Sequence, residues 1–335
     1  MMEEHRQNDG QAPEDGENEE PDLPVKLRVI LTGGGYAGVY HCGFLSAALK
    51  DKSLFEIHSV HGCSVGALIA PFVACDEVEL ATKLFFDNGR VFERKRVLFG
   101  LVPLPDWLIV NALLALFTSS VYSSIAIIGK GFSILKAKCS ESKWLAAQRK
   151  CHVVAYNLER NAQVWFTGAD LEVGIRCSAN IPVILPPVIY KGEAYLDGSM
   201  MQELPLQLIS NEVLASSSQQ QQQSGQDGSD ERGIVNLMLD LSADNEPPPK
   251  VPCDAVTFLW YIINRVITAT CKQQEMTLER LLPPYSFVCF RPKAFFLRNI
   301  LDADKTRLRQ LYDEGRKDGA EFAESERARA RSARV

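Results

Sequence analysis

Histidine is scarce and unevenly placed in this chain of 335 residues: there are five, and none follows His152. Any scheme that needs a histidine late in the chain is thereby excluded. The nine cysteines, at 42, 63, 75, 139, 151, 177, 253, 271 and 289, include no Cys-x-x-Cys pair. Neither a zinc ribbon nor a dithiol redox motif is spelled out, and scattered thiols in a long chain read as buried residues of a reducing compartment. The first residues are acidic and polar where an export signal has a basic and then an apolar segment, so no export and a cytoplasmic location are expected. There is no overall excess of positive charge. The net charge is −6, residues 1–24 hold nine acidic side chains and one basic, and the remainder comes to +2. That balance offers no surface for nucleic acid.

What is present is apolar bulk, 46% of residues against 23% charged, in a chain long enough for one large α/β domain or two smaller ones. Residues 1–24 are too acidic and Pro-rich to order by burial, and are expected to form a disordered tail. From Val25 the run VKLRVILT turns continuously apolar, as a strand buried on both faces does, and stops at Gly33-Gly34-Gly35. A helix over 36–49, a strand over 57–61 and a helix over 65–75 follow. Residues 104–129 carry no charge after Asp106 until Lys130. Such a stretch, about 22 residues, reads first as a buried or lid-like helical pair, and otherwise as an interface-seeking lid or a membrane crossing. Strands are expected at 151–156, 163–167 and 234–241, a helix over 171–179, and a strand pair over 188–196. The Gln- and Ser-rich segment 216–232 is an inserted loop. Helices are expected at 254–270 and 304–313, with 316–335 a charged C-terminal tail in the form of a solvated helix or a frayed end. The main domain is thus expected over 25–315.

Two glycine motifs carry the chemistry. Gly33, Gly35 and Gly38 have the G-x-G-x-x-G spacing of a dinucleotide site, but the next strand ends in Ser59-Val60-His61 without the acid that would hold a ribose. No Lys-Ser or Lys-Thr follows, so it is not a P-loop. The motif reads equally as a nest whose N–H groups face a negative charge. Thirty residues on, Gly62-Cys63-Ser64-Val65-Gly66 is a G-x-S-x-G between strand and apolar helix, the setting of a nucleophile elbow. Alternatively, Ser64 merely caps that helix. Cys63 is a second nucleophile in principle. A histidine partner would have to be His152, with Asp76, Asp87 or Asp106 as acid, and His152 opens an apolar strand and reads as structural. A carboxylate acting directly is the better partner, and Asp197-Gly198 ends an apolar strand, unless it is only a surface turn.

Taken together, Gly33-Gly34-Gly35-x-x-Gly38, Gly62-x-Ser64-x-Gly66 and Asp197-Gly198 resemble the patatin-like phospholipase family, as does the stretch Ser178-Ala179-Asn180-Ile181-Pro182. The resemblance implies a three-layer α/β/α sandwich with a mostly parallel central sheet. It also implies a Ser64–Asp197 dyad that cleaves phospholipid, lysophospholipid or acylglycerol esters through an acyl-enzyme. Gly34, Gly35 and Tyr36 would supply the oxyanion hole and Gly62 and Gly66 the elbow. No cofactor and no metal would be needed, and the protein would sit peripherally on a membrane or lipid-droplet surface. The chain departs from the family's pattern at Ala37, where Arg or Lys is usual, and at Ser199, where Gly or Ala is usual. The rival readings are a catalytically silent lipid-binding protein of the same fold and, on the first motif alone, a nicotinamide-dependent oxidoreductase.

Overall fold

The computed structural model describes residues 24–87, 133–180, 187–200, 234–241, 269, 272–282, 286–293 and 304–332. The expected tail over 1–23, the uncharged stretch 104–129, the inserted loop 216–232 and the helix 254–270 fall outside these residues, apart from residue 269. Strand β1 is Val25–Leu31, α1 Val39–Ala48, β2 Phe55–Cys63 and α2 Val65–Ala74. Then come α3 Glu141–Lys150, β3 Cys151–Asn157, β4 Ala162–Phe166, α4 Leu171–Ser178, β5 Val188–Tyr190 and β6 Glu193–Asp197. The last named elements are β7 Val235–Leu239, β8 Phe287–Phe290 and α5 Lys305–Ser332, and shorter helical stretches cover 78–87, 133–138 and 272–281. The strands form one eight-stranded sheet in the order β5-β6-β3-β2-β1-β7-β8, with β4 also on β3. β8, β7, β1, β2 and β3 run parallel, while β4 and β6 pair antiparallel with β3 and β5 antiparallel with β6.

The strand order explains the layers. Strand-to-strand crossovers are right-handed, so stepping one way from β1 to β2 to β3 puts the connecting helices on one face. Returning past β1 to β7 and β8 reverses the step and uses the other face. Accordingly Val25, Leu27, Val29 and Leu31 of β1 join the large core with α1, α2 and α5, whereas Ile30 points the other way and packs with Met238, Leu278 and Leu282. Both faces of β1 are therefore buried from Leu27 onward, which is why the alternation of Val25-Lys26-Leu27-Arg28 gives way to the apolar run Val29-Ile30-Leu31. The result is a three-layer α/β/α sandwich with a mostly parallel sheet. The direction of winding reverses at β1, between β2 and β7, and ligands of open α/β sheets bind beyond the carboxyl ends of the strands at such a point. The Gly33–Gly35 run follows β1 there, and Ser64 follows β2.

One expectation is corrected. The solvated helix or frayed tail expected after 313 is a helix, continuous with the one predicted over 304–313, but it is not solvated all round: α5 runs without a break to Ser332 and buries Gly315, Asp318, Gly319, Phe322, Ala323 and Glu326. Its Arg and Glu residues dominate the sequence but occupy the outer face, while small residues at four-residue spacing line the inner one. There α5 crosses α1 at backbone contact. A Cβ on Gly43 would lie 2.1 Å from the Tyr312 carbonyl oxygen, and one on Gly319 2.1 Å from that of Phe44. The buried Tyr40 hydroxyl donates to Asp318 at 2.7 Å, and Phe322 stacks on Phe55 with ring centroids 5.4 Å apart.

Candidate active site

The turn from β2 into α2 is tight. Ser64 sits at φ 53°, ψ −119°, a conformation that costs an L-residue energy and persists only where its surroundings enforce it. Its side chain makes no capping bond to the helix, so the plain helix-cap reading of Ser64 does not hold. The flanking glycines are required by space. A Cβ on Gly62 would lie 2.5 Å from the Gly66 carbonyl oxygen, and one on Gly66 2.2 Å from that of Leu31. The turn is therefore pressed down onto the end of β1.

Asp197 reaches the same place from the far side of β3. β3 pairs with β2 through Val154 and Cys63, and with β6 through Ala155 and Asp197. The end of β6 thus comes to lie beside the elbow, and a Cβ on Gly198 would meet the Val154 carbonyl oxygen at 2.6 Å. Asp197 is 2% exposed. Its carboxylate accepts from the Ser199 hydroxyl at 2.7 Å and N–H at 3.0 Å and from the Cys63 thiol at 3.8 Å, and the Ser64 side chain is near enough to lower its pKa. Desolvation raises its pKa above the ordinary carboxylate value, and these donors oppose that rise. Cys63 is fully buried with its thiol directed at Asp197, and does not present a second nucleophile.

The end of α4 pins both partners, a role not assigned from the sequence. The Ser64 N–H donates to the buried Ser178 hydroxyl oxygen at 2.9 Å, and the Asp197 N–H donates to the Asn180 carbonyl at 3.0 Å. The signal was available in the run Ser178-Ala179-Asn180, but nothing local says that one residue grips the elbow and the other the acid strand.

The first glycine motif adjoins the elbow, since a Cβ on Gly38 would lie 2.5 Å from a Val65 methyl. Gly34 and Gly35 take φ 154° and 60°, and residues 35–38 form a 3-10 turn in which the Ala37 N–H donates to the Gly34 carbonyl at 3.2 Å. Among the described residues neither the Gly34 nor the Gly35 N–H donates to a protein acceptor. The loop is stapled to β7, because the Leu241 N–H donates to the Thr32 hydroxyl at 3.0 Å and Leu241 lies under Gly34. Tyr36 is nearly buried against Phe85, and burial pushes its phenol up to about 12. Ala37 is fully buried.

Histidine takes no part in this cluster. His152 stacks on His61 across β3 and β2, with ring centroids 4.9 Å apart, and burial lowers the pKa of both. Among the described residues no histidine bonds to Ser64 or Asp197, so the triad ending on His152 is not formed; Asp76, one of its possible acids, pairs with Lys52. Among the described residues no group of three or more His, Cys, Asp or Glu side chains could hold a metal ion, and no helix is long and apolar enough to cross a membrane.

The fold and this turn define a class: three-layer α/β/α proteins with an elbow serine beside a glycine-rich loop. More narrowly, the chain belongs to the patatin-like phospholipase family, whose model matches residues 29–209. Among solved structures it is similar to VipD from Legionella pneumophila, with 13% identity and a TM-score of 0.46, over 91% of this chain and 68% of VipD. It is also similar to ExoU of Pseudomonas aeruginosa in its heterodimeric complex with SpcU, with 14% identity and a TM-score of 0.36, over 91% of this chain and 52% of the other. The chain thus spans about half the length of the ExoU chain.

Proposed function

We propose that this protein is a serine lipid acyl hydrolase that cleaves carboxylic esters of phospholipids, lysophospholipids or acylglycerols with Ser64 as nucleophile and Asp197 as its proton acceptor. One observation carries the reading. Ser64 is held in a strained turn, its side chain is not spent on the helix, and it lies beside a buried carboxylate whose pKa it lowers. Burial makes that carboxylate a stronger base than an exposed one, as proton transfer near neutral pH requires.

In this scheme the Ser64 oxygen attacks the ester carbonyl carbon while its proton passes to Asp197. The Gly34, Gly35 and Tyr36 N–H groups stabilise the oxyanion, at about 3 kcal/mol for a well-placed donor. The alcohol departs with the proton from Asp197 and leaves Ser64 acylated. Water then attacks the acyl carbon as Asp197 takes its proton, and Asp197 returns that proton to the Ser64 oxygen as the acid is released. No cofactor or metal enters these steps. The protein acts in the cytoplasm, peripherally on a membrane or lipid-droplet surface, and residues 107–128 serve as an interface-seeking lid. Charging that stretch is expected to reduce flotation with liposomes, and unchanged binding would remove the lid from the scheme.

The principal test is labelling by a fluorophosphonate probe in liposomes. Wild type is expected to label, while Ser64→Ala and Asp197→Asn lose labelling with the fold intact. An unlabelled wild type under every lipid condition would favour the silent lipid-binding protein, a reading supported by the buried, uncharged Ala37 beside the loop.

A further inference from the structure

The Asp197 carboxylate is served by more donors than proton transfer needs. Oδ1 alone accepts from the Ser199 hydroxyl at 2.7 Å, the Ser199 N–H at 3.0 Å and the Cys63 thiol at 3.8 Å. Any residue would provide the N–H, but only serine or threonine provides the hydroxyl. The group is half-buried, and its short reach from the turn after β6 leaves its bond to Asp197 well determined. Among the described residues, the neighbours Ala155, Cys63, Ser64 and Asn180 are neutral. Ala155 lies opposite on β3, Cys63 and Ser64 face it from β2 and the elbow, and Asn180 holds its N–H from the end of α4. Among the described residues no cationic side chain stands among the groups acting most strongly on Asp197, and the hydrogen bonds to it offset part of the cost of a buried negative charge.

We propose that Ser199 is a positioning residue that sets both the orientation and the protonation state of Asp197, its hydroxyl holding the carboxylate ionised in a buried site. A donor to the ionised form favours it, so loss of the hydroxyl makes Asp197 take up a proton at higher pH. A neutral donor to a buried carboxylate corresponds to a change of about one pH unit. At pH values below the new midpoint Asp197 would already be protonated and unable to accept the Ser64 proton. In its catalytic consequence this rests on the reading of Asp197 as proton acceptor; the hold on Asp197 itself does not.

The experiment uses the full chain with carbon-13 in its aspartate carboxyl groups, as wild type, Ser199→Ala and Ser199→Thr. Asp197→Asn assigns the resonance. The Asp197 titration is followed by NMR, and the rate of fluorophosphonate labelling is measured across the same pH range. Ser199→Ala is expected to raise the Asp197 midpoint by about one pH unit and to move the acid limb of labelling in step. Ser199→Thr is expected to restore both. An unmoved midpoint in Ser199→Ala, or an equal movement in Ser199→Thr, would overturn the proposal. If the midpoint moves as expected while wild type does not label at all, Ser199's hold on Asp197 stands and the failure lies with the hydrolase reading.

Discussion

Two regions of this molecule are built on glycines that admit no side chain, and they use the closeness differently. At the elbow, Gly62 and Gly66 let the end of β2 fold down onto β1, and Ser64 between them takes a positive φ. At the crossing of α1 and α5, Gly43 and Gly319 let two ordinary helices meet at their backbones, and no residue within either helix is at a positive φ. The first arrangement holds one side chain out for chemistry at the cost of local strain, which the packed sheet around it supports. The second turns the same absence of Cβ into packing area and seats the end of the chain on the core. Equal steric demand therefore does not imply equal purpose; what separates the two is whether the backbone next to the glycine is distorted.

Substitutions at the two places should separate function from stability. Gly43→Val is expected to have the largest effect. The helices cannot retreat without opening the core around Phe44 and Phe322, so a loss of about 3 kcal/mol or more in urea unfolding is expected, with normal labelling per folded molecule. A loss under about 1 kcal/mol would mean that the crossing yields easily. Gly66→Ala should do the reverse. A displacement of Ser64 by a fraction of an ångström is expected to lower the labelling rate of the folded protein about a hundredfold, whatever the stability loss. Labelling at the wild-type rate would remove the elbow from the mechanism.

Ser178→Ala tests the clasp on the elbow more gently. It leaves the buried Ser64 N–H without its acceptor, at about 1–3 kcal/mol, and is expected to lower kcat about tenfold with KM unchanged. A rise in KM with kcat unchanged would place Ser178 in substrate binding instead. The smallest effect is expected from Asp197→Asn on stability. Because burial raises the Asp197 pKa, the folded state holds the proton more tightly than the unfolded chain, and stability falls as pH rises through the shifted value. Asparagine carries no such cost. The variant is expected to melt above wild type near about pH 7, with the gap closing towards about pH 4. A variant that melts lower at neutral pH would show that the carboxylate is worth more to the fold than its burial costs.

Much of this was legible in the linear sequence wherever the information is local. The apolar run of β1, the strand pair ending at Leu196-Asp197 and the apolar helix after Ser64 lie where pattern and turn chemistry put them, within two residues or so. The two glycine motifs were legible for the same reason, since a tight turn needs its glycines at fixed short offsets. α5 was not. Its composition is that of a solvated helix, and the glycines that bury it are indistinguishable from weak helix formers until α1 is placed against them. Ser178 and Asn180 were visible as a motif but not as a clasp, because their partners belong to β2 and β6.

By itself, then, the sequence determined the elements, the glycine-bearing turns and the class of fold, since these follow from spacing along one stretch of chain. Which residues meet was decided by the order of the strands. Only because β3 lies between β2 and β6 does Asp197 come to lie beside the Ser64 turn, and only because α5 returns across α1 does a charged helix become core. Contacts between distant segments depend on how the sheet is wound, and no short run of residues carries that order.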